Sequence, residues 1–110
     1  MAKGRNPEKR PSNRIHEVAK RDLNLLRDRF SLEAAERENR AFQDALLRAI
    51  DKCARELTDD PLLKRLLPEE YRYLRVVAID PFRAAMIYDL GERGDGITVI
   101  RVVDLEELIP

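Results

Sequence analysis

The sequence predicts an α+β fold, in which an N-terminal helical hairpin packs on a three- to four-stranded, mainly antiparallel sheet. Apolar residues recur at helical spacing through the first half of the chain. After residue 70 the spacing changes to the alternation of β-strands, and short links containing glycine or proline separate three such stretches. Short links favour antiparallel pairing, and the apolar stripes of the helices are best buried against one face of the sheet.

Length and composition indicate one soluble domain. The chain has 110 residues, of which 44% are hydrophobic and 38% are charged, and its formal net charge is zero. A zero net charge argues against a protein that is held on nucleic acid by its overall field. No apolar run approaches the roughly 18 residues of a membrane span, and the basic start lacks the apolar segment of a secretory signal. We therefore expect a cytoplasmic protein without a membrane partner.

The N-terminal residues predict a tail followed by a helix. Residues 1–13, MAKGRNPEKRPSN, combine glycine, prolines and alternating charge with an excess of basic side chains, which is typical of a flexible basic tail. A single domain is expected over residues 14–110. Apolar residues at helical spacing from Ile15 to Phe30 predict a first helix, although RIHEV at its start also fits a short edge strand.

A second helix follows, with Ser31 as its predicted N-cap. Its apolar stripe extends from Ala34 to Leu57, and RFSLE joins the two helices into the predicted hairpin. TDDP at residues 58–61 ends the helix, because helical geometry is disfavoured for the residue before a proline. LLKRLLP is then either one helical turn or a connector.

Three strands are predicted, at residues 71–79, 82–90 and 97–104. Pro81 lies at the first corner, where no ladder donor is required. GERGDG at residues 91–96 is a glycine-containing turn of the hairpin type. The expected order of elements is therefore helix, helix, strand, strand, strand.

Few residues point to metal or nucleophilic chemistry. His16 is the only histidine and has no nucleophile pattern near it, and Cys53, the only cysteine, falls within the apolar stripe of the second helix. One His and one Cys do not make a zinc site without carboxylates, and the adjacent acidic pairs lie at predicted caps and turns. GERGDG lacks the Lys-Ser/Thr and the helix of a phosphate-binding loop. We expect no metal and no cofactor, and an inert thiol at Cys53.

Arginines within the predicted strands are the strongest candidates for a functional surface. Each strand contributes one within a mostly apolar stretch, at Arg75, Arg83 and Arg101. If the register allows, these three converge on the sheet face that the helices leave uncovered, with Lys64 and Arg65 at its rim. Guanidinium groups bind phosphate through paired hydrogen bonds. The alternative is that the arginines face solvent and pair with acidic residues across the strands.

Four segments carry a resemblance to a known family. VAKRDLNLLRDRF and AFQDALLRAIDKCARELTDDPLLKRL look like two successive helices that end in a proline-marked loop. YRYLRVVAIDPFRAAMIYDL looks like a central pair of strands, and ITVIRVVDLEELIP looks like a final aliphatic strand with a short tail. In their order and spacing, these segments resemble the RelE/ParE superfamily of type II toxin–antitoxin toxins, from about Ile15 onward.

The resemblance implies a compact α+β toxin that a cognate antitoxin neutralises by wrapping its helices and sheet. One branch of the superfamily cleaves messenger RNA on the ribosome, and another, ParE-like, lacks the nuclease residues and poisons DNA gyrase. In the nuclease interpretation Arg75, Arg83 and Arg101 bind phosphate and Tyr88 assists proton transfer, so that Arg83, Arg101 and Tyr88 form the catalytic set.

The sequence departs from the nuclease pattern after the last strand. Asp104, Glu106 and Glu107 stand where that branch would have a basic or aromatic catalytic group. Their negative charge repels an RNA backbone rather than stabilising a phosphorane-like transition state. This departure favours the ParE-like, non-nuclease branch.

Three hypotheses follow from these observations. The first is a toxin that inhibits growth by binding DNA gyrase or the translation machinery, the second is a ribosome-dependent messenger RNA endonuclease of the same fold, and the third is a non-toxic adaptor domain that binds protein or nucleic acid. The oligomeric state stays open, with a homodimer as one alternative. The candidate residues for binding nucleic acid or a partner are Lys64, Arg65, Arg72, Arg75 and Arg83.

Overall fold

The computed structural model of the chain describes residues 13–27, 35–91 and 96–108. It confirms the α+β class, and no helix in these ranges is both long and apolar enough to cross a bilayer. The elements in chain order are β1 (Arg14–Ile15), α1 (Glu17–Arg27), α2 (Ala35–Glu56), α3 (Pro61–Lys64), a one-turn 3₁₀ helix (Glu69–Tyr71), β2 (Arg75–Ile79), β3 (Ala84–Leu90), β4 (Ile97–Asp104) and α4 (Leu105–Leu108).

The four strands form one mixed sheet in the order β1-β4-β3-β2. The pairs β2–β3 and β3–β4 are antiparallel, as the short links predicted, whereas β1 runs parallel to β4. β1 consists of two residues, with Arg14 opposite Thr98 and Ile15 opposite Val99. The ambiguous RIHEV segment is therefore a short strand that leads into a helix.

Two strands are shorter than the sequence pattern indicated. β2 begins at Arg75 rather than at residue 71, because the chain between them is bent by turn hydrogen bonds such as the one from Leu74 N–H to Tyr71 O at 3.0 Å. β3 begins at Ala84 rather than at residue 82, after a turn that contains Pro81. β4 has the predicted bounds.

Helices α1 and α2 contribute to the core on one face of the sheet, which we call the helix face. Ala19 of α1 and Phe42 and Ile50 of α2 lie in one buried cluster with Met86 and Tyr88 of β3. Residues 28–34, which include the predicted cap Ser31 and the RFSLE link, lie outside the described residues, as do residues 1–12 of the predicted tail. The hairpin connection is therefore not confirmed.

The opposite face, which we call the second face, is also covered, so the expectation of an open sheet face was wrong. Residues between α3 and β2, together with α4, pack on it. Its buried cluster consists of Leu67, Leu74, Val76, Ala85, Ile87 and Val103, with Leu63, Tyr71, Ile100, Leu105 and Leu108 partly buried around it. The physical reason is visible in β3, where AAMIY is apolar and buried at five consecutive positions, as expected for a strand that is covered on both sides.

An ion pair joins α1 to the outer edge of β4. Arg101 donates two hydrogen bonds to Asp22, from Nε at 2.7 Å and from Nη2 at 2.9 Å, and Val102 N–H donates to the same carboxylate at 3.0 Å. β1 pairs only with the start of β4 and leaves the outward N–H of Val102 without a strand partner. Asp22 supplies the acceptor for that N–H. Arg101 also donates to the Tyr71 hydroxyl at 3.1 Å, which connects α1 to the second face.

Replacing Asp22 with alanine should lower the free energy of unfolding by about 3 kcal/mol, because the Arg101 charge and the Val102 N–H lose their shared acceptor. Urea unfolding of the purified chain measures the change. The matched control is Asp51→Ala, which removes an exposed pair with Arg55 at 3.3 Å and should cost less than about 0.5 kcal/mol. Equal stability of the two variants would contradict the assigned role of Asp22.

Candidate functional site

The link between α2 and α3 pairs with the outer edge of β2. Asp60 N–H donates to Val76 O at 2.8 Å, and Val76 N–H donates to Asp59 Oδ1 at 3.1 Å. Asp59 and Asp60 therefore satisfy both backbone groups of Val76 that point away from β3. We call this contact the Asp59–Asp60 junction.

The same junction starts α3. Asp60 is its N-cap, and its side chain accepts hydrogen bonds from the N–H groups of Leu62 and Leu63. Pro61 occupies the first helical position, where its missing N–H costs nothing. TDDP, which was predicted only to end the second helix, thus ends α2 and begins α3.

Residues of α3 and of the segment after it form a basic depression on the surface. It has a volume of about 410 Å³ and is lined by Pro61, Lys64, Arg65 and Arg72. Arg72 is steadied by a hydrogen bond from its Nε to Leu67 O at 3.2 Å. The structure therefore brings together three of the five basic residues that the sequence nominated for binding.

One carboxylate balances part of this charge. Lys64 Nζ lies 2.7 Å from Asp59 Oδ2, with both side chains about two-thirds buried or more. Burial alone would raise the pKa of Asp59, but the hydrogen bonds from Lys64 and from Val76 N–H, with the positive charges of Lys64 and Arg75, outweigh burial and hold the pKa below its usual value. Arg65 and Arg72 are exposed, so the net charge of the depression is positive.

Two exposed apolar side chains flank the basic residues in sequence. Leu62 follows Pro61 and is 71% exposed, and Tyr73 follows Arg72 and is 77% exposed. Interfaces with other macromolecules are enriched in arginine and tyrosine, so Tyr73 and the two arginines fit such a surface better than Leu62 does. The depression can bind phosphate or carboxylate groups, since guanidinium and ammonium groups donate to both.

The three strand arginines do not converge. Arg75 shares the helix face with Val77 and Ile79, where it stands opposite Tyr88 in the ladder. Arg101 stands opposite Ile87 of the second face and is held by Asp22 at the far edge of the sheet. The register shift between β3 and β4, in which Tyr88 pairs with Val99, contributes to this placement.

Arg83 lies in the turn between β2 and β3, at the opposite end of β2 from Arg75. It has a positive φ of 54° and reaches Glu106 at 3.6 Å, with both side chains 70% exposed. Its acidic partner belongs to α4 rather than to a neighbouring strand. An ion pair of this exposure contributes little to stability.

Tyr88 is buried and fully engaged. Its side chain is 0% exposed, its hydroxyl donates to Thr58 O, and the Cys53 thiol interacts with it in the core. Burial, and after it the interaction with Cys53, raise the pKa of Tyr88 far above its usual value. Cys53 is itself buried, as predicted for a core residue, and burial raises the pKa of its thiol.

His16 lies at the start of α1, next to the short strand β1. His16 is exposed, and its Nδ1 accepts the Val18 N–H at 3.2 Å, as expected of a residue at the start of a helix. Within the described ranges, no group of three His, Cys, Asp or Glu side chains is arranged to hold a metal ion.

Sequence reasoning missed Asp22 and Asp59, which hold the edges of the sheet. A signal for Asp22 exists, because it lies three residues after Ala19 and directly before Leu23, within the apolar stripe of α1. An acid at such a position is rarely buried without a partner. Asp59 offers no comparable signal, since an aspartate before a proline is explained by capping alone.

No protein-family model matches the chain, and no curated protein matches it significantly. Functional assignment therefore depends on the geometry above and on the order and spacing of the segments in the sequence.

The depressed pKa of Asp59 predicts how stability depends on pH. In the unfolded chain the carboxyl titrates near its usual value of about 3.9. Because the folded-state pKa is lower, ionised Asp59 stabilises the fold above that value, and this contribution is lost as the pH falls through the folded-state pKa. The stability difference between the wild type and Asp59→Asn should therefore be largest near neutral pH and shrink in acid.

Urea unfolding at a series of pH values measures this difference, and ¹³C carboxyl shifts report the Asp59 titration directly. A difference that does not change with pH, or an Asp59 pKa above about 4, would contradict the assigned contacts with Lys64 and Val76.

Proposed function

We propose that this chain is the toxin of a type II toxin–antitoxin system, similar to the RelE/ParE superfamily, and that it inhibits growth by binding its target rather than by cutting RNA. The separation of the residues that a nuclease would need together is the observation that supports binding rather than RNA cleavage. The order of the secondary-structure elements supports the similarity to the RelE/ParE superfamily.

The order of elements agrees with what the resemblance implies. Two helices precede an antiparallel meander of three strands, β2 to β4, and the link after α2 contains Pro61. The short strand β1 supports the proposal further, since the superfamily fold has an extra strand at this place in the chain.

The placement of the predicted catalytic set supports binding over catalysis. A group that transfers protons has to reach the substrate and to titrate near the working pH. Tyr88 is buried with a raised pKa, Arg101 is held by Asp22, and Arg83 lies in the turn between β2 and β3, where it pairs with Glu106. These residues cannot act on one phosphate without rearrangement of the core.

The basic depression is the surface that we assign to the target. Lys64, Arg65 and Arg72 line one depression and present positive charge, which suits an acidic patch on a macromolecular partner. Leu62 and Tyr73, exposed and close in sequence, add apolar surface. Gyrase is the favoured target, with the translation machinery second, because the acidic residues after β4 disfavour a close approach to RNA. In this proposal the protein acts in the cytoplasm, requires no cofactor and is neutralised by a cognate antitoxin.

Induced expression of the wild type in a bacterial host should arrest growth, and the double variant Arg65→Glu/Arg72→Glu should restore colony formation by more than about tenfold, because reversed charge repels an acidic target. Plasmid supercoiling distinguishes gyrase from the translation machinery as the target. The control is Arg21→Glu/Arg40→Glu, which reverses two exposed arginines on α1 and α2 and should leave the arrest unchanged.

Unimpeded growth with abundant folded wild type would eliminate the toxin proposal. Equal arrest by both double variants would leave the toxin proposal but remove the depression as its binding surface.

The Tyr88→Phe variant should still inhibit growth, since the buried hydroxyl of Tyr88 cannot contact the target. Its stability should fall by about 1 kcal/mol through loss of the hydrogen bond to Thr58 O. Growth assays and urea unfolding measure the two effects. Cleavage of reporter messages by the wild type that disappears in folded Tyr88→Phe would reinstate the nuclease alternative.

A further inference from the structure

A groove separates α2 from the outer edge of β2 on the helix face. Its volume is about 420 Å³, and it lies apart from the four residues that line the basic depression. α2 contributes one wall and the last residues of β2 contribute the other. Its lining consists of Ala45, Arg48, Ala49, Lys52 and Cys53 from the helix, Thr58 and Asp60 from the link, and Val77, Ala78, Ile79 and Asp80 from the strand.

The strand wall has an open backbone position. Val76 directs its N–H and C=O away from β3, where the Asp59–Asp60 junction binds them. Because these directions alternate along an antiparallel strand, Ala78 directs its N–H and C=O the same way. In the described part of the chain, no group binds these two atoms of Ala78, which lines the groove.

The helix wall is narrow and positively charged. Positions 45, 48, 49 and 52 recur at helical spacing and lie on one face of α2. Ala45 and Ala49 leave room for a neighbouring chain, and the exposed Arg48 and Lys52 form no ion pair with any other described residue. This wall therefore offers two unpaired cations to whatever occupies the groove.

We propose that the groove binds an extended acidic segment of a partner protein, which adds to the edge of β2 as a short strand at Ala78. Strand addition supplies the missing backbone partners of Ala78. The carboxylates of the segment meet Arg48 and Lys52 across the groove. The inference rests on a surface separate from the basic depression and does not depend on which target the depression binds.

Spacing favours two acids separated by one residue. Arg48 and Lys52 are four residues apart on α2, which corresponds to a rise of about 6 Å along the helix. Alternate residues of an extended strand lie about 6.8 Å apart and point to the same side. An acid-x-acid segment that runs along α2 therefore carries its two carboxylates at a spacing that matches the two cations.

The ends of the groove select against further acids. Asp60 lies at one end of the open edge and Asp80 at the other. Like charges placed there would repel each other. The favoured segment carries its acids in the centre and neutral or basic residues at its ends.

The probe is a blocked peptide, acetyl-Lys-Thr-Glu-Thr-Glu-Thr-Lys-amide, added to ¹⁵N-labelled full chain. It should shift the amides of β2 and α2, and bound peptide should slow hydrogen exchange at Ala78 by more than about tenfold, because that N–H gains an acceptor. Arg48→Glu/Lys52→Glu should weaken binding by more than about tenfold. Arg21→Glu/Arg40→Glu is the matched control and should bind like the wild type.

Two control peptides separate charge from strand addition. A peptide with both glutamates replaced by lysine, and one N-methylated at alternate amides, should each bind more weakly by more than about tenfold. Binding that leaves Ala78 exchange unchanged, equal binding of either control peptide, or no binding at millimolar peptide would overturn the inference.

A second copy of this chain is the competing occupant. Dimerisation that protects the Ala78 amide without peptide, observed by sedimentation and exchange together, would also overturn the proposal of an acidic partner segment. Growth arrest by a wild type that fails to bind the peptide would remove this inference and leave the proposed function standing.

Discussion

The two hydrogen bonds of the Asp59–Asp60 junction to Val76 organise the side of the molecule that carries the basic depression and the groove beside α2. β2 is the outermost strand, so its outward backbone groups need partners from outside the sheet. The link after α2 supplies them, through the Asp60 N–H and the Asp59 carboxylate. Since Asp60 also caps α3, the direction of α3 and the position of Lys64 beside the sheet depend on this contact. The junction therefore places the basic depression on one side and bounds the groove on the other.

The two edges of the sheet are treated differently. At β4 the edge is covered first by the short β1 and then by Asp22, whose carboxylate accepts from Val102 N–H and from Arg101. At β2 the junction covers Val76 and leaves Ala78 open. Open edges invite pairing with another chain, so proteins keep them short or cover them. Here the open stretch is short, ends at Pro81 and faces a positively charged helix, which suits selective pairing with a partner.

Periodicity was enough to predict the α+β class, the two long helices and the bounds of β4, because long periodic segments bury one stripe or alternate between faces. The pairing register of the strands could not be predicted from periodicity. One register shift between Ile87 and Tyr88 puts Arg101 on the second face, whereas Arg75 lies on the helix face. A one-residue change of register reverses every side chain of a strand, so convergence of arginines cannot be inferred from alternation alone. Lys64 and Arg65 are consecutive in the chain, so their proximity does not depend on strand register, and both line the basic depression.

Amide hydrogen exchange of the folded chain tests whether the edge of β2 is closed at Val76 and open at Ala78. We expect slow exchange at Val76, whose N–H donates to Asp59, and fast exchange at Ala78. Val77 should also exchange slowly, because its N–H points toward β3. In Asp59→Ala, protection should fall at Val76 and persist at Val77. Equal protection of Val76 and Ala78 in the wild type, or a Val76 amide unaffected by loss of the Asp59 carboxylate, would contradict the account.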